Sequence, residues 1–290
     1  MIARATVLSM FESLKRSARE KLQRAVAEVV DAELTRRQRE LDEQQQQLRA
    51  LHTEQMAAID RLAGRMIDSD ERLHRRLYDL EQISRRDILN SQDVTAARDS
   101  AAFVLEHMPN AAVFWHPHDT LRFALGQIKG PGLALEFGVA TGTTLKIIAD
   151  AVAHDRTVAG FDSFTGLPEA WRTGFPAGEF AQSEIPTVEG TEIVVGLFED
   201  ELPAYLARTD EQVAFLHVDC DLYSSSKTVF DLLGDRLAPD AIVLFDEFFN
   251  YPGWRSHEYR AWTEFIERTG RAFEYLAFTG NNEQVAARLH

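Results

Sequence analysis

The fold is decided by the stretch Leu133-Ala-Leu-Glu136-Phe-Gly138-Val-Ala-Thr-Gly142-Thr-Thr144, which runs from an apolar strand through a glycine-containing turn into a helix. Glycine is needed where a backbone turns tightly and passes close to a ligand, because a Cβ there would collide with it. The pattern E-x-G-x-x-x-G differs from the dinucleotide fingerprint G-x-G-x-x-G. The stretch therefore predicts a ligand-binding loop, with an ordinary strand-to-helix turn as the alternative.

On the C-terminal side of this stretch, strand-like and helix-like segments alternate. Alternation of this kind is typical of a mostly parallel sheet covered by helices on both faces, so we predict a doubly wound α/β fold. The last two strands, joined across Thr279-Gly280-Asn281-Asn282, are expected to form an antiparallel hairpin. The predicted strands are 133–139, 157–161, 193–197, 214–218, 241–245, 272–278 and 283–289. The predicted helices are 93–107, 119–129, 143–153, 200–208, 224–237 and 256–269.

An aspartate ends the second apolar strand, 26 residues after Glu136. A carboxylate at this position can accept both ribose hydroxyls of a nucleoside, as the acid about 20 residues beyond a dinucleotide loop does. Glu136 itself suits a ligand that carries an ammonium group, which points to the methionine end of S-adenosylmethionine. An aspartate that merely caps a surface turn is the alternative. The predicted cofactor residues are Glu136, Gly138, Gly142, Asp162 and Ser163.

Two further strands of the predicted sheet end in acidic residues. Asp219 and Asp221 follow the fourth strand, and Asp246 and Glu247 follow the fifth. Because ligands of open parallel sheets bind beyond the carboxyl ends of the strands, these four side chains are expected to face one pocket. A set of oxygen ligands favours Mg²⁺, with Mn²⁺ or Ca²⁺ as alternatives. Any single acid of the four could instead cap a helix or pair with Arg255 or Arg260.

Four motifs along the chain follow one family pattern. They are Pro131-Gly132 followed by Glu136-Phe-Gly138-Val, Asp162-Ser-Phe-x-Gly166-Leu-Pro168, Asp219-x-Asp221-Leu-Tyr223, and Asp246-Glu247 followed by Pro252-Gly253. On these motifs, roughly residues 115–290 resemble the macrocin O-methyltransferase family of class I S-adenosylmethionine-dependent enzymes, which methylate sugar hydroxyls on natural products.

The resemblance implies a seven-stranded, Rossmann-like sheet, Mg²⁺ held by Asp219, Asp246 and Glu247, and Asp221 as the general base. The sequence departs from the family pattern at Glu247, where aspartate is usual, and at Cys220, where glycine is common. Residues 171–180 also differ from the sugar-modifying members. The resemblance therefore favours O-methylation without identifying the acceptor.

The N-terminal segment is of another kind. Residues 1–108 contain no proline and a single glycine, so we predict a long helical arm. Its apolar positions are spaced by 7, 3 and 4 residues, which indicates a coiled coil that forms a homo-oligomer, with a solvated helix as the alternative. These positions include Leu34, Leu41, Leu48, Ile59, Leu62, Met66, Leu73, Leu77 and Leu80.

The first thirty residues interleave basic and apolar side chains, among them Lys15, Arg16, Met10 and Phe11. An amphipathic basic helix can lie on an anionic membrane surface, so peripheral membrane contact is a second hypothesis for this segment. We predict three regions: a helical arm over 1–90, a helical lead-in over 91–130, and the cofactor-binding domain over 131–290.

Charge and cysteine content restrict the partners. The formal net charge is −15, and residues 91–290 carry 14 basic and 30 acidic side chains. Such a field repels polyanions, so a nucleic-acid substrate is disfavoured. The single cysteine, Cys220, excludes an intrachain disulfide, and no apolar run approaches the ~20 residues of a membrane span. We expect a cytoplasmic protein.

Together these observations predict a metal-assisted O-methyltransferase that moves a methyl group from S-adenosylmethionine to a hydroxyl of a sugar or other small natural product. Residues 166–189 are expected to form a lid that excludes water. His217 is expected to be structural, with a role as base as the alternative. Two other functions stay open: a same-fold enzyme acting on a non-sugar hydroxyl, and a non-catalytic cofactor-binding module on a coiled-coil scaffold.

Overall fold

The computed structural model describes the backbone of residues 2–290 and the side chains of residue 10 and residues 12–290. The chain divides into two compact units, one ending at Gln82 and one formed by Ile83–His290. The predicted boundaries of the three regions, at residues 90 and 130, stay predictions.

The first unit consists of most of one long helix, α1 (Ile2–Arg86), which is 85 residues long. The apolar side chains of the predicted coiled-coil seam are exposed on it; Leu34, for example, is 62% exposed and Met66 is 66% exposed. Among the basic and apolar residues of the first thirty, the side chain of Phe11 lies outside the described residues. Within residues 2–290, none of the helices has the length and apolar character needed to cross a membrane.

The second unit alternates strands and helices as predicted. Its helices are α2 (Ile88–His107), α3 (Pro117–Leu125), α4 (Thr143–Val152), α5 (Phe198–Leu206), α6 (Tyr223–Leu233) and α7 (Glu258–Thr269). Its strands are β1 (Ala112–Phe114), β2 (Leu133–Phe137), β3 (Val158–Asp162), β4 (Thr191–Val195), β5 (Val213–Val218), β6 (Leu237–Phe245), β7 (Phe273–Thr279) and β8 (Val285–Leu289).

The eight strands form one sheet in the order β1-β7-β8-β6-β5-β2-β3-β4. Strands β2 to β6 are mutually parallel where they pair, and β8 runs antiparallel to β6 and β7. This is the predicted doubly wound, Rossmann-like α/β fold with its closing hairpin.

The predicted count of seven strands was one too low. The eighth strand, β1, pairs in parallel with β7 at the edge of the sheet. It lies within the segment predicted as a helical lead-in, and at three residues it is too short to show a period of its own. The lead-in thus contributes to the sheet as well as to the helices.

The sheet separates two apolar layers. One layer contains Phe137, Phe161, Phe245 and Trp262, and the other contains Leu145, Ile148 and Phe215. Strands β2 and β5 are buried along their whole length, as expected for central strands covered by helices on both faces. Consequently the carboxyl ends of β2, β3, β5 and β6 lie next to one another at one edge, where polar side chains can face a crevice.

Candidate active site

A crevice of about 490 Å³ lies beyond the carboxyl ends of the central strands. Its wall is formed by the turns after β2, β3, β4, β5 and β6, together with the first turns of α6 and part of the segment between β3 and β4. Its volume falls within the range of small-molecule sites, roughly 300–1,000 Å³. Predicted site residues on this wall are Gly138, Asp162, Ser163, Asp219, Asp221 and Glu247.

The two glycines of the turn after β2 have different roles. Gly138 has a φ of +96°, and a Cβ there would overlap the carbonyl oxygen of Asp219. The turns after β2 and β5 are therefore in direct backbone contact. Gly142, with a φ of +77°, immediately precedes α4 and packs against Pro186 and Val188. Gly138 thus faces the crevice, whereas the missing side chain at Gly142 leaves room for the segment that follows β3.

Asp162 joins the first two turns of the crevice. Its Oδ2 accepts hydrogen bonds from the amides of Val139 (2.9 Å) and Ala140 (2.8 Å), and its Oδ1 accepts one from the amide of Phe164 (2.7 Å). Oδ1 keeps one further acceptor site for a ligand, whereas both lone pairs of Oδ2 are engaged. The neighbouring Ser163 hydroxyl lies 3.0 Å from that of Thr165. The predicted ribose-binding carboxylate is therefore also the tie between the turns after β2 and β3.

Glu136 lies behind the crevice. It is completely buried, and its Oε1 lies 2.8 Å from Nδ1 of His217 on the adjacent strand. Burial raises the pKa of Glu136, and hydrogen bonding to His217 and Thr144 acts in the opposite direction. Glu136 is not one of the described residues that line the crevice. Its direct contact with a cofactor stays a prediction.

Three of the predicted metal ligands come together. One carboxylate oxygen from each of Asp219, Asp246 and Glu247 lies within 4.8 Å of the other two. Burial, followed by the charge of Asp246, raises the pKa of both Asp219 and Glu247. Oε2 of Glu247 is buried and has no hydrogen-bond partner within the described part of the chain. Carboxylates in this state favour a bound cation, because a cation compensates both the burial and the mutual repulsion.

The fourth predicted acid, Asp221, stands on the crevice wall beside this cluster. Its backbone has a φ of +60°, a left-handed conformation that is uncommon for residues other than glycine. Burial and the charge of Asp246 raise the pKa of Asp221 to about 7, against the lowering effect of Arg172. A carboxyl group with such a pKa can take up a proton near neutral pH.

Two residues of the acidic site were not predicted from the sequence. Glu258, at the start of α7, is fully buried and accepts a hydrogen bond from the amide of Glu247 at 3.1 Å. Gln284 on the closing hairpin donates to Oδ1 of Asp246 at 3.2 Å. Glu258 is separated from Asp246 and Glu247 by a loop, so only the path of that loop reveals the contact. From the sequence alone, an acidic residue in the first turn of a helix is explained by the helix dipole, which favours negative charge at the N-terminus.

Residues 163–190, between β3 and β4, form neither helix nor strand and cover one side of the crevice. This segment includes the predicted lid. Glu169 accepts a hydrogen bond from Ser224 on α6 at 2.8 Å, and Arg172 lies 3.2 Å from Glu283 before β8. In this structure the segment is therefore fastened to both sides of the crevice. Its function as a lid stays a prediction.

A second, more open cleft of about 1450 Å³ lies on the other side of Arg172 and Glu283. Trp171, Tyr251 and His257 line it, and Trp171 and Tyr251 are 8% and 2% exposed. Trp171 Nε1, Tyr251 Oη and His257 Nδ1 are buried and have no hydrogen-bond partner among the described residues. Buried polar atoms are normally paired, so these three unpaired atoms are unusual.

With this geometry described, the chain can be compared with known proteins. Residues 135–248 match the family model described as a methyltransferase domain. The match spans the turns that carry Glu136, Gly138, Asp162, Asp219 and Glu247. Over this segment the sequence is similar to a methyltransferase domain, and the sheet around it has the strand order given above. No curated protein matches the chain.

Solved structures of similar fold include three methyltransferases. The calicheamicin methyltransferase CalS11 is 22% identical, with 72% of this chain and 89% of that chain covered and a TM-score of 0.49. The O-methyltransferase NovP is 23% identical, with 59% and 78% covered and a TM-score of 0.45. TomG from Streptomyces achromogenes, an O-methyltransferase of tomaymycin synthesis, is 18% identical, with 73% and 95% covered and a TM-score of 0.40.

Proposed function

We propose that this protein is a metal-assisted O-methyltransferase that transfers the methyl group of S-adenosylmethionine to a hydroxyl group of a small acceptor. One observation carries the proposal: the carboxylates of Asp219, Asp246 and Glu247 lie within 4.8 Å of one another, and Asp219 and Glu247 line the same crevice as Asp221, Gly138 and Asp162. The proposed site for the methyl-donating nucleoside and the proposed metal site thus lie on the same crevice.

The residues around the turns after β2 and β3 fit S-adenosylmethionine. The cofactor supplies, when bound, an electrophilic methyl group on a sulfonium. Gly138 lines the crevice, Asp162 and Ser163 offer oxygen acceptors for the hydroxyls of the ligand, and Gly142 immediately precedes the helix that follows. We also assign Glu136 to the cofactor site. Its side chain lies behind the turn after β2, where it contacts His217 on β5.

Asp219, Asp246 and Glu247 fit a divalent cation, for which Mg²⁺ is the first candidate because all three donors are carboxylate oxygens. Such a cation supplies Lewis acidity, which lowers the pKa of an acceptor hydroxyl. The unpartnered Oε2 of Glu247 and the raised pKa values of Asp219 and Glu247 support a cation at this position.

Asp221 is proposed as the general base. Bound S-adenosylmethionine would supply the methyl group to the acceptor oxygen and would leave as S-adenosylhomocysteine, and the Asp221 carboxylate would take the hydroxyl proton of the acceptor. Its place on the crevice wall and its pKa of about 7 suit this role. The segment between β3 and β4, which is fastened through the contacts of Glu169 and Arg172, is proposed to exclude water once the acceptor is bound.

For the acceptor we propose a sugar or another small natural product with a free hydroxyl. The family resemblance of the four motifs supports a glycoside. The cleft lined by Trp171, Tyr251 and His257 supports a ligand that combines an apolar surface with hydrogen-bonding groups, since it offers aromatic rings and unpartnered polar atoms together. Acidic residues predominate in residues 91–290, which disfavours nucleic acid.

For the arm we propose self-association through a coiled coil. The exposed leucines of α1 support it, because a stripe of apolar side chains along an 85-residue helix is stabilised when a second copy covers it. Sedimentation of the full chain is expected to give an oligomer, and a monomer would refute the coiled coil. Peripheral membrane contact through residues 1–30 and a cytoplasmic location are weaker proposals, tested by co-sedimentation with anionic vesicles.

The main experiment is calorimetry of the full chain with S-adenosylmethionine, with and without Mg²⁺. We expect binding in both titrations. Failure to bind the cofactor under both conditions would refute the proposed function. Binding without methyl transfer to any hydroxyl compound of a glycoside and phenol panel would favour the non-catalytic module instead, and transfer to non-sugar hydroxyls alone would favour the alternative acceptor class.

A further inference from the structure

His217 is a buried side chain that the proposed mechanism does not use. It lies near the carboxyl end of β5, two residues before Asp219, and is 1% exposed. Its Nδ1 lies 2.8 Å from Oε1 of Glu136. Its Nε2 is buried and has no hydrogen-bond partner within the part of the chain that the structure describes. A buried ring nitrogen without a partner calls for an explanation.

The contact with Glu136 determines which ring nitrogen is free. When Glu136 is ionised its carboxylate only accepts hydrogen bonds, and Nδ1 of His217 then carries the proton and donates to it. The neutral ring then has a lone pair on Nε2. Imidazole in this form is a common metal ligand, and a carboxylate on the other ring nitrogen is the usual partner that fixes its orientation.

The position of Nε2 places this lone pair beside the acidic cluster. Nε2 lies 3.9 Å from Oδ1 of Asp246, which is too long for a hydrogen bond. This distance between Nε2 and Oδ1 fits two donor atoms bound to one ion, because metal–ligand bonds of about 2.0–2.2 Å put neighbouring donors roughly 3–4 Å apart.

The same conclusion follows from the two groups of donor atoms around Asp219. Donor atoms of Glu136, His217 and Asp219 lie within 4.8 Å of one another, and so do those of Asp219, Asp246 and Glu247. Asp219 belongs to both groups. Asp219 links the two groups, so the histidine adjoins the acidic cluster.

We propose that Nε2 of His217 is a ligand of the metal held by Asp219, Asp246 and Glu247, and that Glu136 is the positioning residue that orients the ring. This inference rests on the metal site of the proposed function. It changes the donor set from oxygen alone to oxygen and nitrogen. Mg²⁺ prefers oxygen donors, whereas imidazole nitrogen suits transition metals, so a mixed set favours a transition-metal ion such as Mn²⁺ over Mg²⁺.

The test uses Mn²⁺ as the probe on the full chain, without cofactor. Electron spin echo modulation of bound Mn²⁺ reports a directly bonded ¹⁴N nucleus, and calorimetry gives the affinities for Mn²⁺ and Mg²⁺. We expect an imidazole ¹⁴N signal in the natural protein and its loss in His217→Gln. In that variant the affinity for Mn²⁺ is expected to fall at least about tenfold and that for Mg²⁺ by less.

Glu136→Gln keeps the ring and removes its orienting carboxylate, so it is expected to weaken Mn²⁺ binding by about 10–100-fold. His118→Gln, a change at a histidine outside the site, is the matched control and should leave signal and affinity unchanged. Circular dichroism identifies any variant that fails to fold, and the ¹⁴N measurement on the natural protein requires no variant.

Mn²⁺ binding without a ¹⁴N signal in the natural protein would overturn the inference, as would an unchanged Mn²⁺ affinity in folded His217→Gln. Either result would indicate a purely structural pair between His217 and Glu136. Binding of S-adenosylhomocysteine, measured in the same preparation, separates this outcome from failure of the proposed function, because the cofactor site contains other residues.

Discussion

The guanidinium of Arg172 lies 3.2 Å from the carboxylate of Glu283, joining the segment after β3 to the hairpin at the far side of the sheet. The two side chains are only 22% and 19% exposed. Both affect the pKa of Asp221, Arg172 lowering it and Glu283 raising it. Both residues of this ion pair line the open cleft.

Breaking this pair should loosen the segment after β3. We expect Arg172→Met and Glu283→Gln each to accelerate chymotrypsin cleavage at Phe180, and the double variant to be little faster than either single variant. The coupling should be on the order of 1 kcal/mol, since the pair is largely shielded from water. Mass spectrometry of the fragments measures the rate. Arg208→Met, which breaks an exposed pair with Glu192, is the control; equal acceleration there would contradict the prediction.

The contact between Gly138 and Asp219 predicts a large stability difference between two glycine substitutions. Gly138 and Gly174 have similar φ values, +96° and +94°. No atom of the described residues lies within 4 Å of a Cβ built at Gly174. We expect Gly174→Ala to cost about 1–2 kcal/mol of unfolding free energy through backbone strain, and Gly138→Ala to cost about 1–3 kcal/mol more through overlap. Denaturant unfolding measures both, and equal costs would argue against the contact.

Removal of the Asp162 carboxylate should weaken cofactor binding. Asp162→Ala deletes the acceptor of three backbone amides, so the turns after β2 and β3 lose their common tie. We expect the Kd for S-adenosylhomocysteine to rise at least about tenfold, since hydrogen bonds to a charged group contribute roughly 1.5–3 kcal/mol each. Calorimetry measures the change. Asp150→Ala, on the exposed surface of α4, should leave the Kd within about a factor of two of the natural value.

Loss of the Asp221 carboxylate should abolish turnover and spare cofactor binding. We expect Asp221→Asn to reduce conversion of S-adenosylmethionine to S-adenosylhomocysteine with an accepted hydroxyl compound by at least about 100-fold, the usual contribution of a general base. The Kd for S-adenosylhomocysteine should change little. Asp235→Asn, an exposed aspartate elsewhere, is the control. Substantial residual turnover in Asp221→Asn would rule out Asp221 as the base.

The pair of Asp99 and Arg255 predicts a small acid dependence of stability. The two side chains meet at 2.9 Å, and hydrogen bonding to Arg255 lowers the pKa of Asp99. A carboxyl whose pKa is lower in the folded protein stabilises it above the unfolded pKa and loses this effect as the pH falls. Because both side chains are exposed by more than 40%, the contribution is at most about 1 kcal/mol. Asp99→Asn should lower Tm at pH 7 and have less effect at pH 3.

Most of the α/β architecture was predictable because its signals are local. The apolar strands, the glycine turn before α4 and the order of elements each follow from residues near in sequence, and the predicted strand ends lie close to the observed ones. The start of β6 was missed by four residues, since Pro239 interrupts its apolar pattern. β1 was missed because three residues carry no detectable alternation.

The grouping of the acids was expected from the fold, since Asp219 and Asp246 follow neighbouring parallel strands. The contacts that Glu136, His217 and Glu258 make behind these acids were not expected from the fold. Glu136 and His217 face each other because β2 and β5 are paired in register, a relationship that no spacing within either strand indicates. Glu258 reaches the cluster only through the path of the loop before α7. Tertiary pairing, and not propensity, decides these positions.

The backbone contact between Gly138 and the carbonyl of Asp219 also limits how this enzyme can diversify. The two turns are in contact through their main chains, so no side chain sets the distance between them. The main chain therefore fixes the distance between the cofactor site and the acidic site. A change of acceptor would then require substitutions elsewhere, for example within residues 171–180, one of which lines the crevice and others of which line the open cleft.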